Sequence, residues 1–310
     1  MIHLLKSILI LLCLFNSSSS IAQWREKQIH EGLINCQASF PSAKTGYILC
    51  SPNLQCTNDS GKSWQWLSLP GGHNLFDVFF VNDSAGWVVG GNHPNGIIYR
   101  TRDRGKTWTT NQTPIRQILK VSFINEQQGW AVGNENLYSV IYHTTDGGKE
   151  WTIQYEGSDY LRTIDFISAE SGWAAGDNGQ LFYTQDGGLH WTQSPRGDII
   201  HYACVKGISP DTVWAGGGYQ YGALYETTNG GKNWNTVEDN TLAHIRSISI
   251  INKKEIWLAG DRGTIMYSPN GGRNWLSQSI NSKEDIKYIK FFSSGYGVAV
   301  GVKGTFFRYP

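Results

Sequence analysis

Methionine is nearly missing from this 310-residue chain, with two in all, and charged residues make up only 16% of it. Helices draw on Leu, Met, Glu and Lys, whereas strands draw on aromatic and β-branched residues. With 36 Gly, 13 Trp and 15 Tyr beside so few Met, the composition argues against a helical bundle and for an all-β chain. An excess of one charge is also missing: 26 basic residues face 25 acidic ones, which removes any global electrostatic case for nucleic acid or an acidic membrane surface. Metal-ligand spacing is missing as well, since no Cys-x-x-Cys pair occurs and His73, His93, His143, His190, His201 and His244 are scattered. No metal and no cofactor is expected.

Long apolar runs are absent beyond the first residues. Lys6 precedes a short run, Ser7 to Phe15, followed by a polar stretch and the small-residue site Ser20-Ile21-Ala22. This reads as a signal peptide over 1–22, far short of the ~20 apolar residues that span a bilayer. The expectation is an exported protein, periplasmic, envelope-associated or extracellular, with one domain over 23–310, no transmembrane segment and a monomeric state. Beyond residue 22 lie Cys36, Cys50, Cys56 and Cys204, which an oxidising compartment could pair in three ways. Cys50 and Cys56, flanking a turn at Ser51-Pro52-Asn53, are the candidate cross-strand disulfide; buried thiols are the alternative.

What the sequence does contain is a repeat. One motif occurs six times: Thr57-Asn-Asp59-Ser-Gly61-Lys-Ser-Trp64, Thr101 to Trp108 around Asp103, Thr144 to Trp151 around Asp146, Thr184 to Trp191 around Asp186, Thr227 to Trp234 around Asn229, and Ser268 to Trp275 around Asn270. The tryptophans recur at intervals of 40 to 44 residues. A second motif interleaves, as in Gly86-Trp87-Val-Val-Gly90, Gly129-Trp130-Ala-Val-Gly133 and Gly172-Trp173-Ala-Ala-Gly176, with a degenerate copy at Gly46-Tyr47 and a last one at Gly297 to Gly301. Each unit reads as four short strands, for example Ile118–Ile124, Trp130–Gly133, Val140–His143 and Trp151–Tyr155, which is a propeller blade. In the first motif, the Asp box, the Asp or Asn oxygen can accept from backbone amides of the turn between strands three and four. Gly supplies positive φ, and Trp buries a large face. The box is a folding staple before it is anything else.

Seven second-strand motifs against six boxes leave the last blade without an outer strand. Trp24 to His30 supplies one, so the expected fold is an all-β, seven-bladed propeller whose seventh blade is closed by the N-terminal strand. Asp boxes alternating with Gly-Trp-Ala-x-Gly strands, preceded by Leu161-Arg162-Thr-Ile-Asp-Phe166 and followed by Gly176-Asp-Asn-Gly179, resemble the photosystem II stability/assembly factor family of BNR-type seven-bladed propellers. The resemblance spans residues 24–310. It implies a non-enzymatic assembly factor that binds a newly made membrane subunit through basic residues near the propeller centre.

The innermost strands line a propeller's channel, so their first residues are the place to seek a site. Counting back four residues from the terminal aromatic or aliphatic position gives Cys36, Phe76, Leu119, Arg162, Ala203, Arg246 and Lys287. Arg162, Arg246 and Lys287 would form a basic, lopsided mouth for an acidic or extended peptide, because arginine suits forked bonds to carboxylates and carbonyls. The bland reading pairs them internally with Asp159, Asp165 or Asp285. Arg100, Arg102 and Arg104 read as a solvated turn, and Tyr219 and Tyr221 as an aromatic loop. Asp boxes also occur in sialidases and other glycoside hydrolases, which makes a secreted hydrolase the alternative. Paired carboxylates would then be needed, and Asp165 is the single acid within an inner-strand pattern. A structural propeller of the envelope is a third reading.

Overall fold

The computed structural model describes residues 24–29, 36–92, 94–113, 116–135, 138–158, 160–195, 200–218, 221–239, 243–278, 280 and 282–310. The signal-peptide segment 1–22, His93, Asp159 and Tyr219 lie outside the described residues. Strands form seven four-stranded antiparallel sheets, one per blade. The inner strands are Cys36–Ser39, Leu75–Phe80, Gln117–Phe123, Leu161–Phe166, His201–Gly207, Ile245–Ile250 and Ile286–Phe291. Each touches the inner strand of the next blade, and that of blade seven touches that of blade one, which closes the ring. Among the described residues no helix is long and apolar enough to cross a membrane.

Blade seven takes its outer strand, Arg25–Gln28, from the N-terminal segment, paired antiparallel with Thr305–Tyr309. Trp24 meets Phe291 edge-on, with centroids 5.7 Å apart and planes at 89°. Box tryptophans do the same in other blades: Trp108 on Phe80, Trp151 on Phe123 and Trp191 on Phe166, each at 84°. Trp24 thus holds the place of the box tryptophan that blade seven lacks.

Those phenylalanines also join blades. Phe123 stacks flat on Trp87 of the preceding blade at 3.5 Å, and Phe166 on Trp130 at 3.5 Å. The same indoles donate onward, Trp87 Nε1 to the Gly147 carbonyl and Trp130 Nε1 to the Gly187 carbonyl, so each buried indole has both its face and its N–H engaged by the next blade.

Blade two shows the box turn. Thr101 donates from Oγ1 to Asp103 Oδ1 at 2.8 Å and accepts from the Gly105 amide at 2.9 Å, while the Thr107 amide donates to Asp103 Oδ1 at 2.9 Å. Bonds from the Thr107 hydroxyl and amide hold the Asp103 carboxyl at about 2. Gly105 sits at φ +82°, a conformation closed to most side chains.

Two expectations need correction. The disulfide joins Cys36 to Cys50, not Cys50 to Cys56. Cys36 faces Cys50 directly across the antiparallel pair, with Cα atoms 4.2 Å apart, whereas Cys50 faces Asn53 and Cys56 faces Tyr47, three positions away. Cys56 and Cys204 are free thiols. Arg100 is not in a solvated turn: it is buried, donates to the Asp146 and Glu126 carbonyls at 3.0 and 2.9 Å and lies over the Trp87 ring, tying blade two to blade three.

Candidate functional site

In blades two to seven the inner strand carries one residue more than its partner. Register skips between Leu75 and Asp77, Ile118 and Lys120, Leu161 and Thr163, Tyr202 and Cys204, Ile245 and Ser247, and Ile286 and Tyr288. The skipped residues are Phe76, Leu119, Arg162, Ala203, Arg246 and Lys287. A bulge leaves its residue unpaired and re-aims it, here onto the wall of a central cavity of about 680 Å³ lined by the inner strands of all seven blades.

In blades two, four, five and six the closing glycine of the second motif makes room for the bulge. A Cβ on Gly176 would lie 1.8 Å from the Tyr160 carbonyl oxygen, just ahead of the bulged strand. Blade one has no skip, which corrects the placement of Cys36. Cys36 pairs with Cys50 in the register of the buried Leu75, and the next residue, Gln37, lines the cavity instead. Cys50 stands where the other blades have the glycine.

Arg162, Arg246 and Lys287 therefore share one end of the cavity with apolar Phe76 and Leu119 and the small Ala203. Each cation is held by an acid from its own blade or from the loop ahead of it. Arg162 donates from Nε and Nη2 to the two carboxylate oxygens of Asp177, both at 2.5 Å, and His201 Nδ1 lies 2.8 Å from Asp177 Oδ1. Arg246 grips Asp261 in the same way at 2.7 and 3.1 Å, and Lys287 Nζ lies 3.4 Å from Asp285. Burial alone would raise the Asp177 carboxyl, but the bonds from Arg162 and His201 outweigh it and hold it below the usual carboxylate range. Arg162 keeps 55% of its side chain exposed, against 30% for Arg246 and 17% for Lys287, which makes it the most accessible of the three.

Along the inner strands, acids stitch neighbouring blades. Asp165 accepts from Lys206 Nζ at 2.5 Å and from the Gly207 amide at 2.9 Å, both in the next blade. Asp77 accepts from Lys120 Nζ at 2.8 Å and from the Val121 amide at 3.2 Å. Both carboxylates are thus engaged in the wall. Asp177, Asp261, Lys120, Lys206 and Lys290 were not anticipated. The repeated Gly-Asp-x-Gly after the second motif, Gly176 to Gly179 and Gly260 to Gly263, was the available signal for the two acids.

A sequence profile described as photosynthesis system II assembly factor YCF48 matches residues 54–155 and 116–253. No curated protein matches. Among solved structures, one described as YCF48 bound to D1 peptide superposes with a TM-score of 0.73 at 21% identity, covering 92% of this chain and 96% of that one. YCF48 from Cyanidioschyzon merolae superposes with a TM-score of 0.74 at 18% identity, covering 93% and 99%. A GH74 xyloglucanase from Xanthomonas campestris superposes with a TM-score of 0.70 at 12% identity; 91% of this chain covers 52% of that one. At these identities the superpositions speak for the propeller fold.

Proposed function

Since the chain belongs to the photosynthesis system II assembly factor YCF48 family, we propose that it is a non-enzymatic, exported propeller that binds a protein segment at its channel mouth and so assists assembly or stability of a membrane or envelope protein complex. The observation that carries this reading is the bulge-borne set Arg162, Arg246 and Lys287 beside Phe76 and Leu119. A YCF48 structure is described as holding a D1 peptide, which supports a peptide as the ligand class. An extended peptide would lay apolar side chains on blades two and three. Its carbonyls or carboxylates would take bonds from Arg162, whose exposed guanidinium can be shared with Asp177. Because the cations are already paired, the mouth selects by geometry more than by net charge.

The test is affinity capture from the native host's envelope fraction, comparing wild type with Arg162→Ala/Arg246→Ala/Lys287→Ala after circular dichroism shows both folded. Loss of one reproducible protein partner is expected. An unchanged partner set would overturn the site. Export is checked by N-terminal sequencing of the protein from the native host, with Gln23 expected as the first residue.

A further inference from the structure

The cavity wall pairs its cations with acids, with one exception among the described residues. Lys120 has Asp77, Lys206 has Asp165, Arg162 has Asp177, Arg246 has Asp261 and Lys287 has Asp285. Lys290, on the inner strand of blade seven and also lining the cavity, has no such acid; its ammonium lies over the Phe292 ring at 5.9 Å.

The last but one positions of the bulged inner strands explain what is different there. In blades four and five the pair is Asp165 and Lys206: the aspartate accepts the next blade's amide, Gly207 N–H, and also takes the next blade's lysine. In blades six and seven the corresponding residues are Ser249 and Lys290. Ser249 Oγ accepts the Phe291 amide at 2.8 Å, so the amide is satisfied, but the carboxylate that would meet the lysine is absent. Ser249, having accepted through oxygen, still has its own O–H to donate.

We propose that Ser249 and Lys290 form a binding site for a small free monoanion, of carboxylate or halide size, which takes the place of the missing aspartate. The ammonium supplies the charge and the Ser249 hydroxyl supplies a directional donor, on a wall whose low polarisability strengthens attraction beyond that in water. Burial and the neighbouring Lys206, partly offset by Asp165, lower the Lys290 proton affinity, the direction expected of a cation short of a counter-charge.

The experiment uses the whole folded chain without any partner. Crystals are soaked in sodium bromide and the anomalous signal is measured for wild type, Lys290→Met, Lys290→Arg and Ser249→Asp. A bromide is expected at Lys290 in wild type and in Lys290→Arg. It is expected to be lost in Lys290→Met, which removes the charge, and in Ser249→Asp, which rebuilds the arrangement of Asp165 and Lys206. A wild-type channel without bromide at Lys290, while surface bromides are seen, would overturn the proposal. That result would also cover the case in which only a peptide carboxylate fills the position. Persistence of the peak in both Lys290→Met and Ser249→Asp would overturn it equally, and because the wild-type arm stands alone, a variant that fails to fold does not rescue it.

Discussion

Arg162 and Asp177 sit fifteen positions apart on one blade and meet through two parallel hydrogen bonds, Nε to Oδ1 and Nη2 to Oδ2. The arginine side chain is 55% exposed but that of Asp177 only 11%, and the contact is bidentate, so the pair contributes more than an exposed one, about 1–2 kcal/mol. Arg162→Ala and Asp177→Asn are therefore expected to lower the urea unfolding free energy by about 1–2 kcal/mol, while partner capture falls in Arg162→Ala. A loss of several kcal/mol in either variant would show that the pair holds the fold and is not available for recognition.

The bulge that presents Arg162 depends on Gly176, and the seven blades supply their own control. A methyl on Gly176 would meet a backbone oxygen at 1.8 Å, whereas one on Gly301, at the same register in blade seven, meets its nearest backbone atom at 3.4 Å. Backbone rearrangement of this kind costs roughly 1–3 kcal/mol. Gly176→Ala should lower stability by that order and weaken partner capture with it. Gly301→Ala should do neither beyond a few tenths of a kcal/mol. Equal effects in denaturant titrations would remove the glycine from the account of the bulge.

Much of this was readable beforehand, and the misses share a physical cause. The box and the Gly-Trp motif repeat because each blade must bury the same indole and close the same turn, so blade count and the borrowed N-terminal strand follow from spacing. Counting back from the terminal aromatic or aliphatic residue finds Arg162, Arg246 and Lys287 because six inner strands carry the same extra residue. It fails at Cys36 because blade one has no bulge; the one sign in the sequence is Cys50 where the other second-strand motifs end in glycine, and its meaning shows only in the pairing register. The partner of Cys50 was missed for the same reason. Arg100 looks solvated from its charged neighbours, yet alternation along a strand turns it inward beneath the next blade, where two carbonyls receive it.

The Cys36 to Cys50 bridge closes a short loop, with a sequence separation of 14. In the chain-entropy account a loop of this length stabilises by about 3 kcal/mol through restriction of the unfolded chain. Non-reducing peptide mapping of oxidised protein should recover Cys36 joined to Cys50, with Cys56 and Cys204 open to alkylation after unfolding. Cys36→Ser/Cys50→Ser should unfold at lower urea by an amount of that order. A peptide joining Cys50 to Cys56 would contradict the register of the first sheet.

His244 gives the mouth a pH signature. It precedes the inner strand of blade six, its Nε2 is buried without a hydrogen bond, and burial followed by repulsion from Arg246 lowers its pKa to about 4. Asp261 pulls the other way, while Lys287 and His201 add to the lowering. In the unfolded chain a histidine takes its proton near pH ~6.5. Above that value both states are neutral at this position and it contributes no slope. Between about 6.5 and 4 the unfolded chain binds a proton that the folded chain refuses, so stability falls as pH falls, and below about 4 both states carry it. Asp177, held below its usual range, adds its own loss only further down, as pH drops through the carboxylate region. Urea titrations at pH 7, 5.5 and 4.5 should show wild type losing stability across the series and His244→Gln losing visibly less. Parallel slopes in the two proteins would mean that His244 is solvated well enough to titrate normally, and the mouth would then be more open on blade six than its packing indicates.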